Sequence, residues 1–413
     1  MYFEKTWRWF GCKDSITLGD LKQIGVEGIV TALYDVKPGE LWTINGIKEI
    51  KDKIEKDGFR WSVVESLPVS EEIKLNTEKS REHIENFKQS LINLGNCGIN
   101  TVCYNFMPVL DWVRTDIHYL DEDGTETMLF DLVAFAVFDM FILKRPNAEK
   151  NYSPEVCLEA KREFEKMEAN EKEKLTSTIL VYTQRFINSA ISDNGNFLDS
   201  FSEAVDKYSK IDKNILKEHF SIFINEVVPV AEKCGIKLCI HPDDPAFPLL
   251  GLPRIASTIE DFEWIFSQNK SVVNGLTFCA GSLASNKNND LVEFLGRFSS
   301  KIYFAHIRNI QFLNETRFYE SGHLKGSVDI FKVMRLLFKE LQRRKRKGQN
   351  DIQLPIRVDH GKIMLDDFYR ESNPGYPLIG RLKGFAEISG IISGIENETE
   401  SESGDKIQPN GIR

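Results

Sequence analysis

Four side chains of types that commonly bind divalent metal ions lie at the ends of four successive predicted β-strands. They are His241, Cys279, His306 and Asp359. Imidazole, thiolate and carboxylate groups all bind first-row metals, and a mixed set with room for substrate suits catalytic Mn²⁺, Fe²⁺ or Zn²⁺. Taken singly, each has a simpler interpretation: a hydrogen-bonded cap for a histidine or an aspartate, and an inert apolar side chain for a cysteine. Their recurrence on four neighbouring strands favours a metal site.

Two further groups beside this set can carry protons. His360 directly follows Asp359, and Tyr376 ends a predicted turn over residues 373–376. A histidine that titrates near neutral pH and a tyrosine can together accept one proton and donate another. The alternatives are a histidine bonded to a backbone carbonyl and a tyrosine that packs against a loop. We predict an acid–base pair.

Five more side chains near the predicted site could hold an anionic, hydroxylated substrate. They are Arg8, Trp9, Asn105, Arg308 and His323. Guanidinium groups match carboxylates because both are planar forks that pair through two hydrogen bonds. Surface salt bridging is the alternative for both arginines.

The elements that must position these residues form a repeated pattern. Eight short apolar runs are each followed by a helical pattern, at residues 6–10, 28–33, 60–65, 100–105, 236–241, 276–280, 301–307 and 355–359. Near-continuous apolar strands that alternate with helices predict a parallel sheet covered on both faces, and eight such units predict an α/β fold, a (β/α)8 TIM barrel. In that fold the active site lies at the carboxyl ends of the strands, where the metal candidates are.

The spacing between predicted strands four and five is too long for one unit. We therefore predict a helical insertion over residues 112–198 that caps the mouth of a barrel domain covering 1–395. Its apolar run, 128–143, reads as a packed helix and is shorter than the ~20 residues that cross a bilayer. Residues 396–413 are polar, and we expect this tail to be disordered.

The composition of the chain limits the kinds of partner that we expect. The 413-residue chain has a formal net charge of −9 and dispersed basic residues, so we expect neither nucleic acid nor membrane partners. The exception is the basic run at 343–347, which we interpret as a solvated helix end; the alternative is a phosphate site. Seven cysteines without CxxC spacing, and no signal peptide, indicate a reducing cytoplasm. We expect a homo-oligomer, a dimer.

Six short stretches form an ordered set along the chain. They are 7–11 (WRWFG), 64–69 (VESLPV), 239–245 (CIHPDDP), 278–282 (FCAGS), 358–361 (VDHG) and 373–376 (NPGY). Any one of them would be weak evidence. Together they resemble the D-mannonate dehydratase family of hexuronate breakdown, from residue 1 to about residue 394.

The resemblance implies a xylose-isomerase-like barrel that removes water from D-mannonate to give 2-keto-3-deoxy-D-gluconate, with Mn²⁺ or Fe²⁺. It places the family's metal ligands on His241, Cys279, His306 and Asp359. It places the acid–base pair on His360 and Tyr376, without deciding which is the base.

Two other functions stay open at this point. A metal-dependent sugar isomerase or epimerase uses the same barrel, but such sites generally rely on carboxylate-rich ligands, sometimes with a lysine. A binding protein with a structural metal would have a closed site whose ligands lie close in sequence. Here the candidate ligands span His241 to Asp359.

Overall fold

The computed structural model describes residues 2–184 and 197–403, with side chains to residue 398. Eight parallel strands close a barrel in the order β1-β12-β9-β8-β7-β4-β3-β2, which confirms the predicted fold. The strands are β1 (Phe3–Arg8), β2 (Gly28–Thr31), β3 (Arg60–Glu65), β4 (Thr101–Tyr104), β5 (Asp116–Leu120), β6 (Glu126–Asp131), β7 (Lys237–Ile240), β8 (Asn274–Cys279), β9 (Ile302–Ile307), β10 (Ile310–Phe312), β11 (Arg317–Glu320) and β12 (Leu354–Val358).

Helices lie around the barrel, and most of them cover the outer face of its strands. They are α1 (Leu18–Gln23), α2 (Ile44–Lys56), α3 (Glu71–Leu75), α4 (Ser80–Asn96), α5 (Leu132–Val137), α6 (Pro154–Lys166), α7 (Ala169–Ser177), α8 (Phe197–Asp206), α9 (Lys213–Lys233), α10 (Ile259–Gln268), α11 (Ala280–Ala284), α12 (Leu291–Phe298), α13 (Ile330–Arg346) and α14 (Leu378–Ser403). Every residue of β8 and of β9 is buried, because side chains on one face fill the barrel and those on the other pack against helices.

The register of the barrel strands sets the height of the candidate ligands. Cys279 of β8 pairs directly with His306 of β9, and His306 pairs with Arg357 of β12. Asp359 lies two residues beyond that pair. Because the strands are parallel, their carboxyl ends meet at one mouth, and the ligands collect there.

The insertion does not begin with a helix. Strands β5 and β6 form an antiparallel hairpin, which joins β10 and β11 in a four-stranded sheet of order β10-β11-β6-β5. The apolar run at 128–143, predicted as one helix, is therefore a strand up to Asp131. The Asp131 side chain accepts hydrogen bonds from the Val133 and Ala134 amides and so caps α5, which begins only at Leu132. Gly124, with φ 79°, provides the turn of the hairpin.

Helices α5 to α8 follow the hairpin. The part of the predicted insertion at 185–196 lies outside the described residues.

The polar tail is helical at its start. Helix α14 continues to Ser403, so the expectation of disorder from residue 396 is wrong for 396–403. Glutamate has a good helix propensity, and Glu396 is anchored because its carboxylate accepts a hydrogen bond from the Tyr2 amide at 3.1 Å. Residues 404–413 lie outside the described part of the chain.

None of the helices in the described ranges is long and apolar enough to cross a membrane.

Two glycines of α14 allow a matched test of how closely this helix packs against the segment that contains Lys362. A Cβ on Gly380 would lie 1.8 Å from the Lys362 carbonyl oxygen, whereas a Cβ on Gly390 would meet nothing within 4 Å. We expect Gly380→Ala to lower the free energy of unfolding by about 1–3 kcal/mol, because backbone must move. Gly390→Ala should raise it by about 0.5–1 kcal/mol through reduced chain entropy. Urea unfolding measures both free-energy changes, and equal effects of the two substitutions would contradict the close packing at Gly380.

Candidate active site

Three of the four predicted ligands converge. The ligand atoms of His241, Cys279 and His306 all lie within 4.8 Å of one another. His241 follows β7, and its Nε2 is 3.2 Å from Nδ1 of His306. The Nδ1 of His241 is 2.7 Å from the Pro242 carbonyl oxygen, which can only accept a hydrogen bond. The proton of His241 therefore belongs on Nδ1, and Nε2 is left with a lone pair for a metal.

His306 is held in a similar way. Its Nδ1 faces His241, and its Nε2 lies 3.4 Å from Oε1 of Glu65 at the end of β3. His306 is fully buried, and the Glu65 carboxylate favours a proton on Nε2. A carboxylate behind a histidine in this position fixes the tautomer and the orientation of the ring.

Cys279 is also fully buried, at the end of β8. The Ser282 hydroxyl donates a hydrogen bond to its Sγ at 3.0 Å. The thiolate is the form of cysteine that binds metals.

Asp359, the fourth predicted ligand, borders this group. Its Oδ2 is 3.7 Å from Nδ1 of His306 and 3.9 Å from Sγ of Cys279. Its Oδ1 accepts a hydrogen bond from Arg357 at 2.5 Å. Burial alone would raise the pKa of Asp359, but Arg357 and other cations outweigh it and hold the pKa well below the usual range. Asp359 is thus an ionised carboxylate beside the three-ligand group.

The two predicted proton carriers face each other beside Asp359. The rings of His360 and Tyr376 are 5.1 Å apart at an interplanar angle of 85°. The predicted turn is confirmed by the hydrogen bond from the Tyr376 amide to the Asn373 carbonyl, with Gly375 at φ 81°. The Tyr376 hydroxyl donates to Oδ1 of Asp359 at 3.3 Å.

Charged neighbours set the state of this pair. Arg8 donates a hydrogen bond to the Tyr376 oxygen at 3.2 Å. Burial raises the pKa of Tyr376 to about 12, although Arg8 opposes the shift, so the phenol is protonated at neutral pH. The Nδ1 of His360 lies 3.2 Å from Oε1 of Glu320, an acceptor, and 3.2 Å from Nη1 of Arg308, a donor.

A small cavity of about 30 Å³ lies at this site. Its walls include Arg8, Glu65, Ser66, Asn105, Asp111, Trp112, His241, Asp244, Arg308, Arg357, Asp359, His360 and Tyr376. Of the five predicted substrate-binding residues, Arg8, Asn105 and Arg308 lie in the wall.

Trp9 and His323 do not line this cavity. Strand β1 ends at Arg8, two residues earlier than predicted, so Trp9 lies in the apolar core beyond it. His323 is buried behind the site, and burial lowers its pKa to about 4.

A larger cavity of about 370 Å³ adjoins the small one. The two share Ser66, Asn105 and Asp111 in their walls. Helix α8 contributes Ser200, Glu203 and Ala204 to the wall of the larger cavity. The segment between β4 and β7 therefore forms part of the approach to the three-ligand group.

Eight buried charges connect the site into one set of ion pairs, the buried ion network. Arg8 contacts Glu65 at 3.5 Å, and Glu65 contacts Arg357 at 2.8 Å. Arg357 contacts Asp359 at 2.5 Å, and Asp359 contacts Arg308 at 3.4 Å. Arg308 contacts Asp244 at 2.7 Å, Asp244 contacts Arg114 at 3.0 Å, and Glu320 contacts both Arg308 and Arg114. Four guanidinium groups thus face four carboxylates, and the network is balanced.

Sequence reasoning missed five members of this network: Glu65, Asp244, Glu320, Arg114 and Arg357. The position of Glu65 at the end of a predicted strand could have indicated it. No comparable pattern marks Glu320 or Arg114, which come from β11 and from the start of the insertion.

The network gives Glu320 a strongly shifted titration. Burial raises its pKa, but Arg308 and Arg114 outweigh burial and lower the pKa to about 2 from an ordinary 4.5. A carboxyl whose folded pKa is depressed stabilises the fold above its unfolded pKa, and this contribution is lost as the pH falls towards the folded pKa.

We therefore expect Glu320→Gln to cost about 3 kcal/mol of unfolding free energy at pH 7. The difference from the native protein should shrink as the pH falls from 5 to 3, because native Glu320 then loses its advantage. Urea unfolding across this range measures it. Glu315→Gln is the matched control, since the Glu315 side chain is 89% exposed. A difference that stays constant with pH would contradict the role of the carboxylate.

The chain is similar to known proteins along almost its whole length. The D-mannonate dehydratase (UxuA) family model matches residues 3–402. A mannonate dehydratase of Marinomonas sp. (strain MWYL1) is 44% identical over 396 residues, 95% of this chain and 99% of that protein. One of Chromohalobacter salexigens is 45% identical over 394 residues, 95% and 99% of the two chains. The crystal structure of a mannonate dehydratase from Streptococcus suis serotype 2, at 30% identity, covers 100% of this chain and 99% of that chain with a TM-score of 0.75. This chain therefore belongs to the D-mannonate dehydratase family.

Proposed function

We propose that this protein is a hydro-lyase that removes water from D-mannonate to give 2-keto-3-deoxy-D-gluconate, with Mn²⁺ or Fe²⁺ as its metal. The observation that carries the proposal is the His241, Cys279 and His306 group, at the mouth of the barrel of a chain of this family. Family membership supports the reaction, and the chemistry of the site supports the type of substrate.

The donor atoms fit a catalytic metal better than a structural one. The Nε2 of His241 lies 3.2 Å from Nδ1 of His306. The proton of each ring is best placed on its other nitrogen, Nδ1 in His241 and Nε2 in His306. Asp359 would complete a set of two imidazoles, a thiolate and a carboxylate. A mixed nitrogen, sulfur and oxygen set suits first-row divalent ions, and the adjoining cavity leaves a position for substrate.

Charge favours an acidic substrate. The buried ion network is balanced, so the thiolate of Cys279 and a divalent ion together would leave one uncompensated positive charge. One substrate carboxylate neutralises it, and a buried charge is costly unless it is paired. A neutral sugar would not do so, which argues against the isomerase or epimerase alternative.

The residues around the cavity suggest how the chain acts on such a substrate. When bound, the divalent ion supplies a Lewis acid for the substrate carboxylate, which makes the neighbouring C–H bond more acidic. Arg8 and Arg308 lie in the cavity wall and can bind the negative charge that develops when the C2 proton leaves.

His360 and Tyr376 would divide the two proton transfers of the elimination. One takes the C2 proton, and the other protonates the C3 hydroxyl, which leaves as water. The two rings lie 5.1 Å apart, and both residues contact Asp359, which supports this assignment.

The decisive assay incubates the metal-stripped protein with D-mannonate and adds Mn²⁺, Fe²⁺ or Zn²⁺ in turn. We expect 2-keto acid to form with Mn²⁺ or Fe²⁺ and to stop on chelation. Turnover of sugars without a keto acid product would support an isomerase or epimerase instead. A metal that resists chelation, with no turnover of any aldonic acid, would support a structural site.

Removal of either proton carrier should abolish chemistry without loss of metal. We expect His360→Asn and Tyr376→Phe each to reduce kcat by roughly 10²–10⁴-fold, the usual contribution of a positioned acid or base. Tyr369→Phe is the matched control, because Tyr369 is 90% exposed. Bound metal, measured by elemental analysis, should be unchanged in all three. Near-normal turnover in both site variants would refute the acid–base assignment.

A further inference from the structure

The opposite end of the barrel contains a second large cavity, of about 910 Å³. It lies where the strands begin, so its walls include Arg60 at the start of β3, Lys237 at the start of β7 and Pro355 in β12. The metal group lies where the strands end. The length of the barrel therefore separates this N-terminal mouth from the active site.

The N-terminal mouth has an excess of positive charge. Its wall contains six basic side chains, Lys51, Arg60, Lys237, Lys301, Arg343 and Arg344, and three acidic ones, Glu4, Glu55 and Asp351. The chain as a whole has a net charge of −9, so the excess is local.

Four of the basic groups have carboxylate partners. Arg60 pairs with Glu4 at 2.6 Å, and Lys51 pairs with Glu55 at 2.6 Å. Arg343 and Arg344 share the carboxylate of Glu340, at 2.6 and 3.0 Å. Two of the residues of the basic run at 343–347 thus line this cavity, but their charge is compensated.

Lys237 and Lys301 carry the excess. Among the described residues, neither has a carboxylate within 4.0 Å. Lys237 lies over the Tyr303 ring at 4.5 Å, and Lys301 donates a hydrogen bond to the Ser271 carbonyl. Burial, and then the nearby Lys237 ammonium, lower the pKa of Lys301. Two unpaired, partly buried ammonium groups in one cavity repel each other, and an anion between them would relieve that repulsion.

We propose that the N-terminal mouth binds a small phosphorylated metabolite, whose phosphate lies between Lys237 and Lys301. Lysine is a common phosphate ligand because its ammonium is a compact charge with three donors. The cavity, of about 910 Å³, is large enough for a sugar phosphate. A nucleic acid is disfavoured, since the net charge of the chain repels a long polyanion.

The experiment follows thermal unfolding of the Mn²⁺-loaded protein during titration with D-glucose 6-phosphate, at an ionic strength kept constant with potassium chloride. D-Glucose is the matched ligand control, because it lacks the phosphate. The variant is Lys237→Gln/Lys301→Gln, with the two single substitutions beside it. Lys332→Gln is the matched protein control, since Lys332 is exposed on α13, outside the cavity wall.

We expect a saturable rise in Tm for the native protein and for Lys332→Gln, and none with D-glucose. The double variant should weaken the apparent affinity at least about tenfold, and each single variant less. Saturating D-mannonate, added to the His360→Asn variant so that the proposed reaction does not consume it, should leave the affinity unchanged. A shift that survives the double substitution, or that D-mannonate removes, would place the phosphate among the active-site arginines and overturn the proposal. Absence of any saturable shift would also overturn it.

Discussion

The buried ion network is the interaction on which the geometry of the active site depends. Four arginines and four carboxylates share one desolvated region, and each is ionised because its neighbours are. Removal of one partner of a buried pair typically costs 3–5 kcal/mol, because the remaining charge is left without compensation in a poorly solvated place. The network also contacts three side chains of the site directly. Glu65 lies behind His306, Glu320 contacts His360, and Arg8 contacts Tyr376.

The same network joins the insertion to the barrel. Arg114 comes from the start of the insertion, and it contacts Asp244 beyond β7 and Glu320 in β11. Strand β11 in turn pairs with β6 of the insertion hairpin. The insertion therefore helps to position the proposed acid–base pair, and it also forms part of the cavity wall.

The sequence was informative where a local pattern has one structural meaning. Alternation of apolar strands with helices predicted the barrel, and the strand ends predicted Cys279 and His306, whose direct pairing follows from parallel register. The predicted position of Trp9 differs from the observed one because β1 ends two residues earlier than predicted, and Trp9 lies in the core rather than at the mouth. The hairpin was missed because its apolar residues run directly into those of α5, and only the cap at Asp131 separates them. Glu320 could not be found, since its role depends on a sheet that pairs residues nearly two hundred positions apart.

Barrel closure has a consequence for synthesis of the chain. Strand β1 pairs with β2 on one side and with β12 on the other, where Phe3 meets Leu354. During translation the first strand therefore exposes an unpaired edge until almost the whole chain has left the ribosome. Such edges can pair with other chains, and contacts so distant in sequence form slowly. Anchoring of the first residues by Glu396 of α14 comes later still. Asp359, which directly follows β12, is the last of the proposed metal ligands to be synthesised, and it reaches its place beside His306 only when β12 pairs with β9.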